Sequence, residues 1–211
     1  MRKSEIVIIG IVLLSFGIGI YVYPEMPEKI ASHWNAQGEV DGYMSKFWGI
    51  FLMPIISVGL FLLFVIIPGI DPYKSNIEKF RKYYDNFIIV IILFLFYIYL
   101  LTIFWNMGFR YNMITLLSPA FAILFYYSGV LIENAKMNWF IGIRTPWTLS
   151  SEKVWDKTHK IGGKLFKIAG IIAFAGILFQ SYAIFFILVP ILSAVIYLVI
   201  FSYIEYQKET K

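Results

Sequence analysis

Two histidines, His33 and His159, are the only imidazoles in this chain of 211 residues, and it carries no cysteine. Disulfides, thiol catalysis and Cys-ligated metal centres are therefore excluded. His33 lies in the polar stretch 24–46, where Asn35, Gln37, Glu39 and Asp41 alternate. That alternation faintly suggests the oxygen-ligand spacing of a calcium loop, but the bidentate Glu such a loop needs downstream is missing at the right offset. Gln37-Gly38 and Asp41-Gly42 read better as turn formers, with Trp34 and Tyr43 as interfacial anchors and the loop free to touch an external ligand. His159 lies in the second polar stretch, 133–164, with Asn138, Gly142, Arg144, Thr145, Pro146, Trp147, Trp155, Gly162 and Gly163. The planar fork of Arg144 suits a partner's carboxylate or a lipid phosphate, or else it snorkels to headgroups. An enzyme built here would have to use Arg144, Asp156 and His159, a meagre set for proton transfer.

The elements that must position these residues are membrane spans. Of the residues, 60% are apolar and only 15% charged, with a mean hydropathy of +0.75, against about a quarter charged in an ordinary globular domain. Apolar runs of roughly bilayer length recur at 6–23, 47–70, 87–105, 113–132, 165–179 and 183–204. The first follows Arg2 and Lys3 but ends in Tyr-Val-Tyr-Pro without a small-residue cleavage site, so it reads as a retained helix rather than a signal peptide. The last two form a tight pair joined by Gln180-Ser-Tyr182. Pro54, Pro119 and Pro190 kink their helices, as prolines in spans commonly do. The fold class expected is thus an all-α integral membrane protein of six transmembrane helices. Residues 1–70 form a first helical pair with an outer loop and 71–211 a four-helix region, together one structural unit.

Charge sets the expected orientation. Arg2, Lys3, Lys74, Lys79, Arg81, Lys82, Lys136, Arg144, Lys153, Lys157, Lys160, Lys164, Lys167, Lys208 and Lys211 fall on one side. Lys29, Lys46 and Arg110 alone fall on the other. The positive-inside rule then puts both termini in the cytoplasm. The same placement explains the net charge of +5 without direct nucleic-acid binding. It also sets His33 and His159 on opposite sides, so they cannot share a metal, and no cofactor is expected. From Ser150 or Ser151 as N-cap and Glu152 in the first turn, Trp155, Thr158, His159 and Gly162 recur on one helical face, with Lys153, Asp156, Lys157 and Lys160 opposite. That pattern predicts a short amphipathic helix lying on the inner membrane surface. Thr145, ahead of Pro146, is extended.

No Asp, Glu, His, Lys or Arg lies deep within the six runs. Ion-coupled transporters and intramembrane metalloenzymes need such groups at that depth, so both classes are disfavoured. A small solute permease or channel would have only Ser57, Thr102, Thr115, Ser118, Ser128 and Ser193 to line a path. An uncharacterised membrane subunit fits everything read so far.

Asn138-x-x-x-Gly142-Ile143-Arg144-Thr145-Pro146-Trp147-Thr148, followed by Trp155-x-x-x-His159-x-x-Gly162-Gly163, closely resembles the signature of SdpI-type membrane proteins. Upstream, Pro27-x-x-Ile-x-x-His33-Trp34-Asn35-x-x-Gly38-x-x-Asp41-Gly42 resembles the outer-loop module that often precedes it. The resemblance runs from the first loop to the fifth helix. It implies a multi-pass protein of the cell membrane that gives immunity to a secreted killing peptide and signals inward by drawing a cytosolic transcriptional repressor to the membrane. On that reading the outer residues His33, Trp34, Asn35, Gly38 and Asp41 contact the peptide. The inner residues Asn138, Gly142, Arg144, Thr145, Pro146, Trp147, Trp155, His159, Gly162 and Gly163 serve the partner.

Overall fold

The computed structural model describes residues 2–210; Lys211, counted above among the inner cations, lies outside the described residues. In chain order the elements are α1 (Lys3–Val22), β1 (Lys29–Trp34), β2 (Val40–Ser45), α2 (Lys46–Ile70), α3 (Lys74–Lys79), α4 (Arg81–Asn106), α5 (Met113–Asn134), α6 (Pro146–Ser150), α7 (Glu152–Ala175) and α8 (Ala183–Thr210). Six helices, α1, α2, α4, α5, α7 and α8, are long and apolar enough to cross a membrane. At about 1.5 Å per residue each reaches the roughly 30 Å of a hydrocarbon core. Their outer faces expose large apolar side chains such as Leu13, Ile20, Ile171 and Ile196. Hydrocarbon, unlike water, accepts such a surface without cost.

The helices pack as two triples. α1, α2 and α4 contact one another, as do α5, α7 and α8, and α4 against α5 joins the groups. Lipid offers no hydrophobic drive for helices to associate, so close approach and interhelical hydrogen bonds must hold them. In the first triple the Tyr84 hydroxyl donates to the Phe64 carbonyl at 2.8 Å and that of Tyr99 to Ser15 at 3.1 Å. In the second, Gly129 of α5 and Gly163 of α7 face each other so closely that a Cβ on Gly163 would stand 2.6 Å from Glu133 Cβ and 2.9 Å from the Gly129 carbonyl oxygen. The tight 3₁₀ turns at Gly176–Leu178 and Gln180–Tyr182 join α7 to α8, as the paired final runs require.

Two expectations are corrected. The chain is not all helical, because stretch 24–46 folds as an antiparallel hairpin in which Ile30 pairs with Met44 and Ala31 with Tyr43. Ile30 and Ala31 are fully buried, Ile30 seated with Met26, Ile50, Tyr99 and Ile103 in one apolar cluster. The hairpin is thereby rooted on the bundle. Second, the predicted interfacial helix is no separate element: it is the first half of α7, which runs unbroken from Glu152 to Ala175. Gly162-Gly163 does not interrupt it, because these glycines are where α5 approaches and the packing offsets their low helix propensity. Its start was read correctly, with Ser151 Oγ accepting from the Val154 amide at 3.2 Å.

Candidate functional site

Segment 135–151, expected on the inner side, forms a clasp over one end of the bundle. At its centre the fully buried Asn138 spends both ends of its amide locally. Nδ2 donates to the carbonyls of Lys136 and Ile141, both at 2.8 Å, and Oδ1 accepts from the amides of Phe140 at 2.9 Å and Ile141 at 2.6 Å. The loop then turns at Gly142, whose φ of +117° an L side chain rarely adopts. A Cβ there would also strike the His159 ring. His159 Nε2 accepts from the Ile143 amide at 3.0 Å, which leaves Nδ1 to donate to the Trp155 carbonyl at 2.9 Å. Both ring nitrogens are thus committed in the neutral imidazole. Trp155 stacks on that ring at 3.9 Å, and its indole N–H donates to the Ala135 carbonyl at 2.9 Å.

Further along, Thr145 caps the single-turn helix α6. Its Oγ1 accepts from the Thr148 amide at 3.2 Å, the Thr148 hydroxyl reaches back to the Ile143 carbonyl at 2.8 Å, and Pro146 occupies the first turn where its missing N–H costs nothing. Thr145 also bonds Ser202 of α8 at 3.0 Å, and Trp147 packs on Tyr203 with centroids 5.1 Å apart. Gly162 admits the Ile143 side chain against α7. Of the inner residues predicted, then, Asn138, Gly142, Thr145, Trp155, His159 and Gly162 build the clasp, and Gly163 instead packs α7 on α5. Arg144 stands exposed, one N–H donating to the Trp139 carbonyl at 2.8 Å.

Residues that sequence reasoning passed over tie this clasp to the α2–α4 connection. Buried Asp71 accepts from the Tyr73 amide at 2.6 Å through Oδ1 and from the Trp139 amide at 2.9 Å through Oδ2. Asn76 Nδ2 donates to the Met137 carbonyl at 2.9 Å. The one signal available was an Asp closing an apolar run just before a proline, a turn-forming pattern. At the same end Arg2 and Arg81 pair with Asp85, Lys157 and Lys208 with Glu205, and Ser151 with Glu209. Both ends of the described chain are thereby gathered beside the clasp.

The hairpin occupies the opposite end. Asn106, closing α4, takes the place of a third strand: Oδ1 accepts from the Ala31 amide at 2.8 Å and Nδ2 donates to its carbonyl at 3.1 Å. Gly38, with φ +83°, sits over Asn112, whose Nδ2 holds the Gln37 carbonyl at 2.8 Å. Asn35 Oδ1 accepts from the amides of Gln37 and Glu39, both at 3.0 Å, so the first of the oxygens that suggested a cation loop shapes the turn instead. His33 Nδ1 pairs with Asp41 in the open. Trp34 lies edge-on to Trp105, and its buried indole N–H has no acceptor among the described residues.

The sequence at both ends of the bundle matches known families. The family model "Domain of unknown function (DUF1648)" matches residues 10–58, which hold the hairpin, and the "SdpI/YfhL protein family" model matches residues 134–204, which hold the clasp. Immunity protein SdpI of Bacillus subtilis (strain 168) is 28% identical over 207 residues, covering 98% of this chain and 97% of that protein. No solved structure matches. With six spanning-length helices, and with the hairpin module and the clasp signature in the same order over nearly the full length of both chains, the chain is a multi-pass membrane protein similar to those of the SdpI type.

Proposed function

We propose that this protein confers immunity on the cell that bears it against a secreted, membrane-active killing peptide. The observation that carries this is the end-to-end match to an immunity protein, which spans hairpin and clasp alike. In this reading the hairpin lies outside and the clasp and both termini lie in the cytoplasm. Every basic residue gathered around the clasp supports that orientation. The exposed His33–Asp41 pair, with Trp34 and Asn35 behind it on a turn held by Gly38, engages the peptide. The clasp reports inward, its exposed Arg144 and half-buried Trp147 meeting a cytosolic repressor while Trp155 and His159 hold them in place. Such reporting requires two packings of the bundle close in energy, one of them favoured by bound peptide.

A permease is less well supported. Five of its six candidate lining residues spend their hydroxyls close by: Ser57, Thr102, Ser118 and Ser128 bond carbonyls one turn back in their own helices, and Thr115 bonds Asn112. The deciding experiment is survival of a peptide-sensitive bacterium expressing the chain, beside a His33→Ala/Asp41→Asn variant at equal membrane abundance. Protection by the parent that the variant loses is expected. A properly inserted parent that protects no better than empty vector overturns the reading. Recruitment of the repressor to peptide-treated membranes is expected to fall in Arg144→Ala, and equal recruitment removes that arm.

A further inference from the structure

Between the two helix triples, at the clasp end, lies an apolar cleft of about 400 Å³. Phe64 of α2, Phe87 of α4, Leu131 of α5, Phe166 of α7 and Val195 of α8 are among its walls. Its end is closed by the clasp segment Phe140–Ile143. Polar groups are nearly absent: the Ser128 hydroxyl bonds the Leu124 carbonyl and that of Tyr84 bonds Phe64. Such a cavity gives water no partners. Val195 and Val199 line it while remaining 44% and 42% exposed, so it opens sideways between helices whose outer faces meet lipid.

The closing segment carries a charge on its outer side. Arg144 follows Ile143 directly, and its guanidinium folds back to the Trp139 carbonyl, just ahead of Phe140. The fork thus brackets the four residues that close the cleft. One N–H is spent on Trp139 and the rest of this exposed guanidinium has no partner among the described residues, a geometry that suits two phosphate oxygens. Trp139, 49% exposed beside it, belongs at headgroup depth.

From this juxtaposition we infer that the cleft holds one acyl chain of an anionic phospholipid whose phosphate rests on Arg144. An acyl chain fits the dry lining and the sideways opening, and the cation at its closed end selects an anionic headgroup. The assignment stands apart from the immunity reading, since a chain that protects no cell would still bind the lipid, and it competes with the repressor contact proposed above for the same Arg144 guanidinium.

Native mass spectrometry of the full chain, stripped of lipid in detergent and titrated with phosphatidylglycerol or phosphatidylcholine of identical acyl chains, tests it. The parent is expected to retain one phosphatidylglycerol with at least tenfold preference over phosphatidylcholine. Arg144→Gln should bring that ratio near one. Val195→Trp and, independently, Val199→Trp should abolish retention of either lipid by filling the cleft. Ile123→Trp, in a separate groove beside Pro119 and Leu93, should leave retention unchanged and so controls for a general effect of added tryptophan. Absence of a preference in the parent, its survival in Arg144→Gln, or retention by both folded cleft variants would each overturn the inference.

Discussion

At the residue scale, the clasp signature is composed mainly of side chains that satisfy the loop's own backbone. Asn138, Thr145, Thr148 and His159 together answer the amides and carbonyls of Lys136, Phe140, Ile141, Ile143 and Trp155. A loop pressed against a bundle has little water for those groups, and leaving one unpaired costs about 1–3 kcal/mol. This separates two residues that look alike as charged members of the inner face. Asp71 is buried, and each of its oxygens accepts a backbone N–H. In Asp71→Asn an NH₂ must face one of those N–H groups, and stability should fall by about 1–3 kcal/mol. Arg144 is exposed with one carbonyl contact, so Arg144→Ala should stay within about 0.5 kcal/mol of the parent. Unfolding midpoints in mixed micelles compare the two directly. Equal midpoints would mean that Asp71 does not anchor the clasp.

At the element scale, α7 links bundle and clasp, and its glycines decide how near α5 can lie. Ala at 163 would place Cβ within 2.9 Å of the Gly129 carbonyl oxygen and 3.1 Å of Glu133 Cα, both backbone atoms that cannot rotate aside. Gly163→Ala should therefore force the helices apart, at about 1–3 kcal/mol. Gly10 of α1 has open space around its Cβ position, so Gly10→Ala should cost nothing and gain up to about 1 kcal/mol of helix propensity. The same micelle titration reads both, and a Gly163→Ala as stable as Gly10→Ala would refute the close-packing argument. These elements also mark where the sequence was readable. The spans were legible because hydropathy sustained over some 20 residues has few other meanings. The buried face of Trp155, Thr158, His159 and Gly162 was legible from its spacing, and all four residues are buried. That this face continues into a span was hidden, because the shift from charged to apolar residues at Gly162-Gly163 looks like an end. The hairpin was hidden because its strands are only six residues long and mix polar with apolar residues without a clean alternation. The partners Asp71, Asn76 and Ser202 lie 57 to 68 residues from the groups they hold, a distance at which a single sequence carries no pairing signal.

At the scale of the whole molecule, the two ends differ in chemistry as sharply as the bilayer leaflets they would meet. One end gathers the termini, the α2–α4 connection and the clasp, cross-linked by Arg2–Asp85, Asp71–Trp139, Asn76–Met137 and Lys157–Glu205. The other carries the hairpin, fastened by Asn106 and Asn112 at the α4–α5 turn. Lys and Arg translocate poorly, so the basic end is the one expected to stay in the cytoplasm. Because the chain has no cysteine, a single introduced thiol reports one position without background. Ala36 lies exposed at the hairpin turn and Ser150 exposed at the end of α6, with three spanning helices between them. A membrane-impermeant maleimide should label Ala36→Cys in intact cells, and Ser150→Cys only after the membrane is opened. The opposite pattern would invert the molecule and move the peptide-facing role to the clasp. Labelling of both from outside would mean that the helices between them do not all cross, and the six-span topology would fail with the orientation.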